Sequence, residues 1–321
     1  MILTKQLFIE KFVEDISKLE REDVNLESLT QLKYEHLPKS LFKYCSFDDA
    51  NRNISNLQKD IVWLSSPTNF NDPYEFSAKI DLDEVLRRNY NDKINIFFDS
   101  TFKDSFSDEE KSAIRNDNRS YDEIVLELVS SGKIKKEQLD NFEGRYLGVI
   151  EQSIANEDIK KLFKVSSFSE HNDLLLMWSH YAHNHTGFCI EYDIEPLSIE
   201  HPLTKSLYPV AYSKEFVNIT EYYLHKTQNP NLDYLLPVML KKSLEWEYEQ
   251  EWRLIIIDNA EIGIEFSMPK PKAIYLGSKF DPDNLKKIYT FCSTHKINLY
   301  YMKLDSSEYK LIPNIILNHK E

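Results

Sequence analysis

The apolar residues Leu7, Phe8, Phe12, Ile16 and Leu19 recur at helical spacing with charged residues between them, which predicts an amphipathic helix within residues 1–32. Residues 1–38 are therefore set apart as an N-terminal helical extension. From Leu41 the pattern shortens to strand-length apolar runs, LFKYCSF and IVWLSSP, followed by a polar turn, NFNDPYEF. Residues 81–160 return to helical periodicity, as in YDEIVLELV and the stretch 138–159, and Ser107-Asp-Glu-Glu110 has the form of a capping box that opens a helix. After Lys164 come the strand-like runs KVSSFS, GFCIEYD, YPVAYS, EWRLIIID, KAIYLGS and INLYYMKL, interrupted by helical pieces at 235–244 and 282–292. Strands on both sides of the helical stretch imply a single α+β domain over 39–321, a mixed sheet with covering helices and a helical insertion at about 81–160.

Composition is that of a folded globular chain: of 321 residues, 41% are hydrophobic and 13% aromatic, enough for a packed interior. Thirty-nine Lys and Arg against 53 Asp and Glu give a formal charge of -14, which opposes non-specific contact with nucleic-acid phosphates or an anionic membrane. The longest apolar runs, 174–178 and 254–257, fall far short of the ~18–20 residues that cross a bilayer. The opening MILTKQLFIEKFVED turns acidic early and has no small-residue cleavage site, so a secretory signal is not expected and a cytoplasmic location is. Cys45, Cys189 and Cys292 form no CxxC pair, against a disulfide framework or a cysteine zinc site. Glycine is the sharpest exclusion, with six residues where average usage of ~7% predicts roughly 22. Neither GxGxxG nor a Walker A loop can be written from them, so any nucleotide is held without a glycine-rich phosphate cradle.

Three segments carry candidate chemistry. The first, residues 168–192, holds four of the nine histidines. His180, His183 and His185 could converge on a metal from a turn, but the spacing is not HExxH and no carboxylate sits at a familiar ligand position, so no metal is expected. Without a metal the segment is a helix over about 173–182, a loop at Asn184 and Gly187, and a buried strand. The second is LEWEYEQEWRLI, 244–255. If extended, it lines Glu245, Glu247, Glu249 and Glu251 along one face, a row tolerated at a surface, beside cations, or where a carboxylate does chemical work. Otherwise it is a solvated edge strand or a helix end, with Glu251 paired to Arg253 or a lysine. The third is LSSPTNFNDPYEF, 64–76, where Asn71 and Asp72 ahead of Pro73 favour a turn. All three end apolar runs, as loops converging on a cleft do.

In this order, LFKY, SSPTNFNDPYE, FSEHNDLLLMWSHYAHNHTGFCIEY, WEYEQEWRLI and KAIYLG resemble the bacterial family known as domain of unknown function 2971, over roughly residues 40–280 and skipping the helical insertion. That family name carries no activity. A second resemblance, to NAD-dependent ADP-ribosyltransferases of the toxin type, rests on Tyr44 in LFKY, Ser65 or Ser66 after IVWL, and the Glu249-Gln-Glu251 pair. It implies a mainly antiparallel split sheet and NAD as substrate, held in a cleft. It further implies that Glu251 stabilises the ribosyl cation and touches the 2′-hydroxyl, with Glu249 orienting or deprotonating the acceptor. Tyr44 and Trp178 or Tyr181 would stack on nicotinamide or adenine, and His180 would bond the ribose or pyrophosphate. Asn71 and Asp72 would border the nucleotide, and Arg253 would neutralise Glu251 or reach a phosphate.

The expected activity is cleavage of the nicotinamide–ribose bond of NAD with modification of a protein or nucleic-acid acceptor, as in a toxin or phage-defence effector. The alternative is a non-catalytic binding module for a small molecule or protein in a defence or toxin–antitoxin system. An enzyme predicts a raised pKa for Glu251 in a concave pocket, with Tyr44 and the FNDPYE loop around it.

Overall fold

A computed structural model of the chain describes residues 4–17, 25–47, 52–81, 84–85, 90–99, 102–117, 119–154, 157–225 and 235–319. The chain divides into two compact units, one made of Met1–Phe76, Asp158–Glu215 and Leu236–Glu321, the other of Ser77–Glu157 and Phe216–Leu235. In chain order the elements begin with α1 (Lys5–Ser17), α2 (Leu26–Glu35), β1 (Ser40–Cys45), α3 (Arg52–Gln58), β2 (Ile61–Ser65) and β3 (Ala78–Lys79). A helical stretch follows: α4 (Tyr90–Asp99), α5 (Asp108–Arg115), α6 (Tyr121–Ser130), α7 (Lys136–Ile154) and α8 (Glu157–Leu162). Next are β4 (Phe163–Ser169), α9 (Leu175–His180), β5 (Phe188–Asp193), α10 (Pro202–Ser206), β6 (Leu207–Pro209), β7 (Ala211–Ser213) and β8 (Val217–Asn218). The remaining elements are α11 (Thr220–His225), α12 (Leu236–Met239), β9 (Lys241–Ser243), β10 (Glu251–Ile257), β11 (Gly263–Ser267), β12 (Ala273–Leu276), α13 (Pro282–His295), β13 (Asn298–Leu304) and β14 (Leu311–Leu317).

The first unit is built on one large sheet in the order β11-β2-β4-β1-β5-β12-β13-β14, with β10 and β6 joined to it through β4. Every pairing in it is antiparallel except β12 with β13. This is the expected α+β class with a mixed, mainly antiparallel sheet. The central strands β5 and β12 are apolar and buried almost throughout, the signature of a sheet covered on both faces. On one side α9 sets Met177 and Trp178 against Tyr44, Tyr275 and Met302.

β4 is where the sheet divides. Along one edge it pairs with β10 over its full length, from Phe163 with Ile257 to Ser169 with Glu251. On the other edge it meets β2 only at Val165 and β1 only at Ser169. The backbone of Ser166–Phe168 faces no strand there, so β1 and β2 diverge and leave a gap between them. Two of the scarce glycines serve close approach nearby. A Cβ on Gly187 would stand 2.1 Å from the Cys45 carbonyl oxygen, and one on Gly277 would stand 2.1 Å from that of His185.

At the N-terminus, α1 buries Phe8, Phe12, Val13 and Ile16. Leu7, expected on the same face, is exposed, and Leu19 lies outside the described residues. The helix expected over 235–244 stops at Met239, and the chain then becomes β9, paired in parallel with β7. The strands β11 and β14 have no counterpart in the periodicity reading.

The second unit has its own aromatic core: Phe97, Phe98, Phe102, Phe106 and Phe142 pack with Ile94, Tyr121 and Val125. The capping box expected at Ser107 and Glu110 is present, and Ser120 with Glu123 forms another at the start of α6. β3 and β8 pair in parallel in this unit. Among the described residues no helix is long and apolar enough to cross a membrane.

Candidate active site

A cavity of about 390 Å³ occupies the gap between β1 and β2. Its walls are Phe42, Lys43 and Tyr44 of β1, Trp63 and Ser65 of β2, and residues 165–169 of β4. The 70–75 turn adds Phe70, Asn71 and Glu75, and α9 with the residue after it adds Met177, His180 and Tyr181. Lys242, Glu249 and Glu251 complete the lining. The three segments singled out in the sequence therefore meet at one place.

The acidic run reaches the cavity differently from the extended row considered above. Leu244–Glu249 is a 3-10 helix, opened by Ser243, whose hydroxyl accepts from the Glu245 amide, and closed by Gln250 in the left-handed region at φ 45°. Strand geometry begins only at Glu251, so Glu245 and Glu247 point into solvent while Glu249 and Glu251 are buried. The expected alignment of four carboxylates on one face is thereby corrected to a pair.

That pair belongs to a five-membered ion cluster. The Lys242 ammonium donates to Glu249 at 2.6 Å and to Glu251 at 3.1 Å, and lies 3.7 Å from Glu75. The Arg253 guanidinium, with no exposed surface, donates through Nε to Glu251 at 2.8 Å, through Nη2 to Glu75, and through Nη1 to the Met239 carbonyl at 2.5 Å. The Tyr181 hydroxyl donates to Glu249 Oε1 at 2.7 Å. Isolated charges at this depth would be prohibitive, and the mutual pairing is what allows them.

The two carboxylates are driven apart in proton affinity. Burial by itself would raise Glu251, but the charges of Arg253 and Lys242 outweigh it and hold its carboxyl well below the usual carboxylate range. For Glu249 burial prevails: Lys242 pulls its pKa down, the charge of Glu251 adds to the rise, and the net direction is upward. The raised pKa expected at Glu251 is found at Glu249 instead. Lys242 is held above the ordinary lysine value, because its three carboxylates outweigh burial and the repulsion of Arg253.

Several candidates occupy other positions than expected. Trp178 is fully buried, its Nε1–H donates to the Asn172 carbonyl at 2.7 Å, and it does not line the cavity, so it offers no ring face there for the stacking expected of it. Tyr44 lines the wall, with its hydroxyl committed to the His171 carbonyl and its ring edge-on to Trp178. Ser65 faces the cavity, whereas Ser66 is buried and caps the 3-10 turn Pro67–Asn69. Asn71 faces it too, but Asp72 turns away and accepts from the Tyr74 amide at 2.8 Å. Arg253 stands behind the carboxylates and neutralises Glu251, the first of its two expected roles. Of the histidines, His180 lines the cavity, His183 is exposed, and His185 stacks on Trp178. Among the described residues no group of three His, Cys, Asp or Glu side chains is placed to hold a metal ion.

Wall residues that carried no assignment in the sequence include Lys43, Trp63, Phe70, Glu75 and Lys242. Trp63 is 41% exposed, an aromatic face open to a ligand. Glu75 closes the NFNDPYE string, which was its signal. Lys242 had no comparable mark.

The model of a family described as "Protein of unknown function (DUF2971)" matches residues 177–254, a span that runs from α9 into β10 and contains Tyr181, Lys242, Glu249, Glu251 and Arg253. No curated protein and no solved structure matches the chain. The resemblance to ADP-ribosyltransferases thus rests on the quoted sequence positions alone.

Proposed function

We propose that the protein is an enzyme that cleaves the N-glycosidic bond between nicotinamide and ribose in NAD and passes the ADP-ribosyl group to water or to a protein or nucleic-acid acceptor. One observation carries this: two buried carboxylates, tied by one lysine in the wall of an aromatic cavity, with proton affinities pushed in opposite directions. Such a division is how one site keeps a permanent negative charge beside a group that exchanges protons. Glu249 is assigned the basic role, because its raised pKa brings it closer to neutrality, where a general base works best. The anionic cluster favours the ribosyl cation that develops as nicotinamide leaves. Lys242 and Tyr181 hold Glu249 in place. At about 390 Å³ the cavity lies toward the small end of ligand sites (roughly 300–1,000 Å³), which suits a nicotinamide riboside moiety, with the adenosine end directed outward past Trp63.

The complete pairing of Glu251 favours a second reading, a binding module in which the cluster only shapes the pocket. Both are tested by incubating purified protein with NAD, with and without cell lysate as acceptor source, and measuring nicotinamide release for wild type and Glu249→Gln. Release that falls by about 10²–10⁴ in the variant supports the enzyme. NAD bound and returned intact supports the module. Release equal in both proteins removes Glu249 from the chemistry, and neither binding nor release overturns the assignment to NAD.

A further inference from the structure

Two lysines stand in the cavity wall, and they are unlike. Lys242 touches three carboxylates; Lys43 touches none among the described residues. The Lys43 amine donates to Ser166 Oγ at 2.8 Å and to the Ser167 carbonyl at 3.0 Å, both neutral acceptors on the unpaired edge of β4. It lies 5.4 Å from the centroid of the Phe168 ring.

A neutral amine has two N–H groups and one lone pair. The two acceptors on β4 use both N–H groups, and the lone pair is left over. Residue 43 also keeps partial exposure although protein atoms surround it, which is the condition of a group reached through a cavity. Burial, only partly offset by the neighbouring Cys45 and the charge of Glu251, lowers its pKa below the ordinary lysine value. A desolvated lysine without a counter-carboxylate is the form in which lysine acts as a nucleophile.

We propose that Lys43 is an amine nucleophile that captures a small aldehyde in this cavity as a Schiff base, the aldehyde being the ring-opened form of an aldose. The identity of the aldose rests on the glycoside-cleaving reading, since release of nicotinamide to water leaves a pentose whose anomeric carbon is an aldehyde once the ring opens. The reactivity of the amine does not rest on it. The Nζ lone pair forms a bond to the aldehyde carbon, the carbonyl π pair moves to oxygen, and a proton passes from nitrogen to that oxygen to give a carbinolamine. The Glu249 carboxylate takes the remaining N–H proton and hands it to the hydroxyl, the C–O bond breaks as water departs, and the nitrogen electron pair forms the C=N bond. Glu249 ends as the carboxylate it began as, and amine plus aldehyde has become imine plus water. Hydrolysis reverses each step, and the capture is reversible without a reductant.

The test is reductive trapping on the full chain. Wild-type protein is incubated at pH 7 with ADP-ribose, or separately with D-ribose 5-phosphate, in the presence of sodium cyanoborohydride, which reduces an imine to a stable secondary amine. Adducts are then located by peptide mass spectrometry. An ordinary lysine has about one amine in 2,500 neutral at pH 7, and each tenfold drop in proton affinity multiplies that fraction tenfold. The expected result is a single adduct at Lys43, forming at least about tenfold faster than adducts at exposed lysines such as Lys39 and Lys59. Modification of the exposed lysines with Lys43 untouched overturns the proposal, and this comparison within the wild-type chain needs no variant to fold. Lys43→Arg, checked for native circular dichroism, must lose the adduct. An adduct at Lys43 without nicotinamide release retains this proposal and removes the glycoside reading; release with Lys43 unreacted does the reverse.

Discussion

Arg253→Met removes a guanidinium from the centre of the ion cluster and leaves a side chain of similar length in its place. Glu251 loses donors at 2.8 and 3.2 Å, Glu75 loses its contact with Nη2, and the Met239 carbonyl loses its donor at 2.5 Å. Lys242 alone then faces three buried carboxylates. Removing one partner of a buried pair costs about 3–5 kcal/mol, and the orphaned carbonyl places this case toward the upper end. Against a total stability of about 5–15 kcal/mol that is a large fraction, and at ~2 °C per kcal/mol for a chain of this size Tm falls by roughly 6–10 °C.

The loss has a definite pH dependence. In the wild type the folded pKa of Glu251 lies below its unfolded value near 4.3. Its stabilising contribution is therefore present above that unfolded value and is lost only as pH falls through the folded one, in strong acid. Without Arg253 burial dominates, the carboxyl rises above its unfolded value, and the ionised form becomes a burden that protonation relieves. The difference between wild type and variant shrinks accordingly from pH 7.5 to pH 5.0. Urea unfolding followed by tryptophan fluorescence at both pH values measures it. A loss under about 1 kcal/mol at pH 7.5, or the same loss at both values, refutes the reasoning. Adding Glu251→Gln to Arg253→Met should recover part of the loss, because the amide needs no cation.

Glu249→Gln removes the excess negative charge of the cluster while keeping an acceptor for Tyr181, so its Tm should equal or exceed that of the wild type while nicotinamide release is lost; a fall of several degrees would make Glu249 a structural anchor. Tyr181→Phe deletes a hydrogen bond that lowers the Glu249 pKa, so the acidic limb of the pH–rate profile should move to higher pH than in the wild type, at a cost of about 1 kcal/mol in stability. An unmoved limb would show that Glu249 does not set it. Gly187→Ala puts a methyl into the Cys45 carbonyl, a backbone atom that cannot swing aside, and should cost at least about 1–3 kcal/mol by thermal unfolding; a neutral result would mean the two strands are not held at this spacing.

The strands that build the sheet centre were legible because burial on both faces leaves an unbroken apolar run, as in FCIEY and KAIYL. The edge strands were not. In β14, Ile312, Pro313, Asn314 and Ile315 are all exposed, so no alternation survives to be read. At the site, alternation itself misled: EWEYEQE has a two-residue period on paper, but the Ser243 cap and the left-handed Gln250 wind Leu244–Glu249 into a 3-10 turn that sends Glu245 and Glu247 outward. The resemblance to ADP-ribosyltransferases implies Trp178 as a stacking surface, but its ring is core, placed there by Tyr44 and the Asn172 carbonyl. Lys43 and Lys242 are silent in the sequence because a lone lysine carries no periodic signal, and what makes each unusual is contributed by other segments of the chain.

The cluster also shows why folding and chemistry select different members of the pair. Glu75, Glu249 and Glu251 carry three negative charges against two positive ones from Lys242 and Arg253, so one carboxylate must remain under-compensated. Arg253 decides which, since its guanidinium reaches Glu75 and Glu251 but has no contact with Glu249. Glu249 is left with the shared ammonium of Lys242 and one neutral phenol. A residue fully paired on β10 fixes the end of that strand and cannot readily change its proton occupancy. One supplied by the preceding turn, with a single shared cation, can. The break in register at Gln250 separates these two roles along three consecutive residues, and a continuous strand would have set both carboxylates against the same partners.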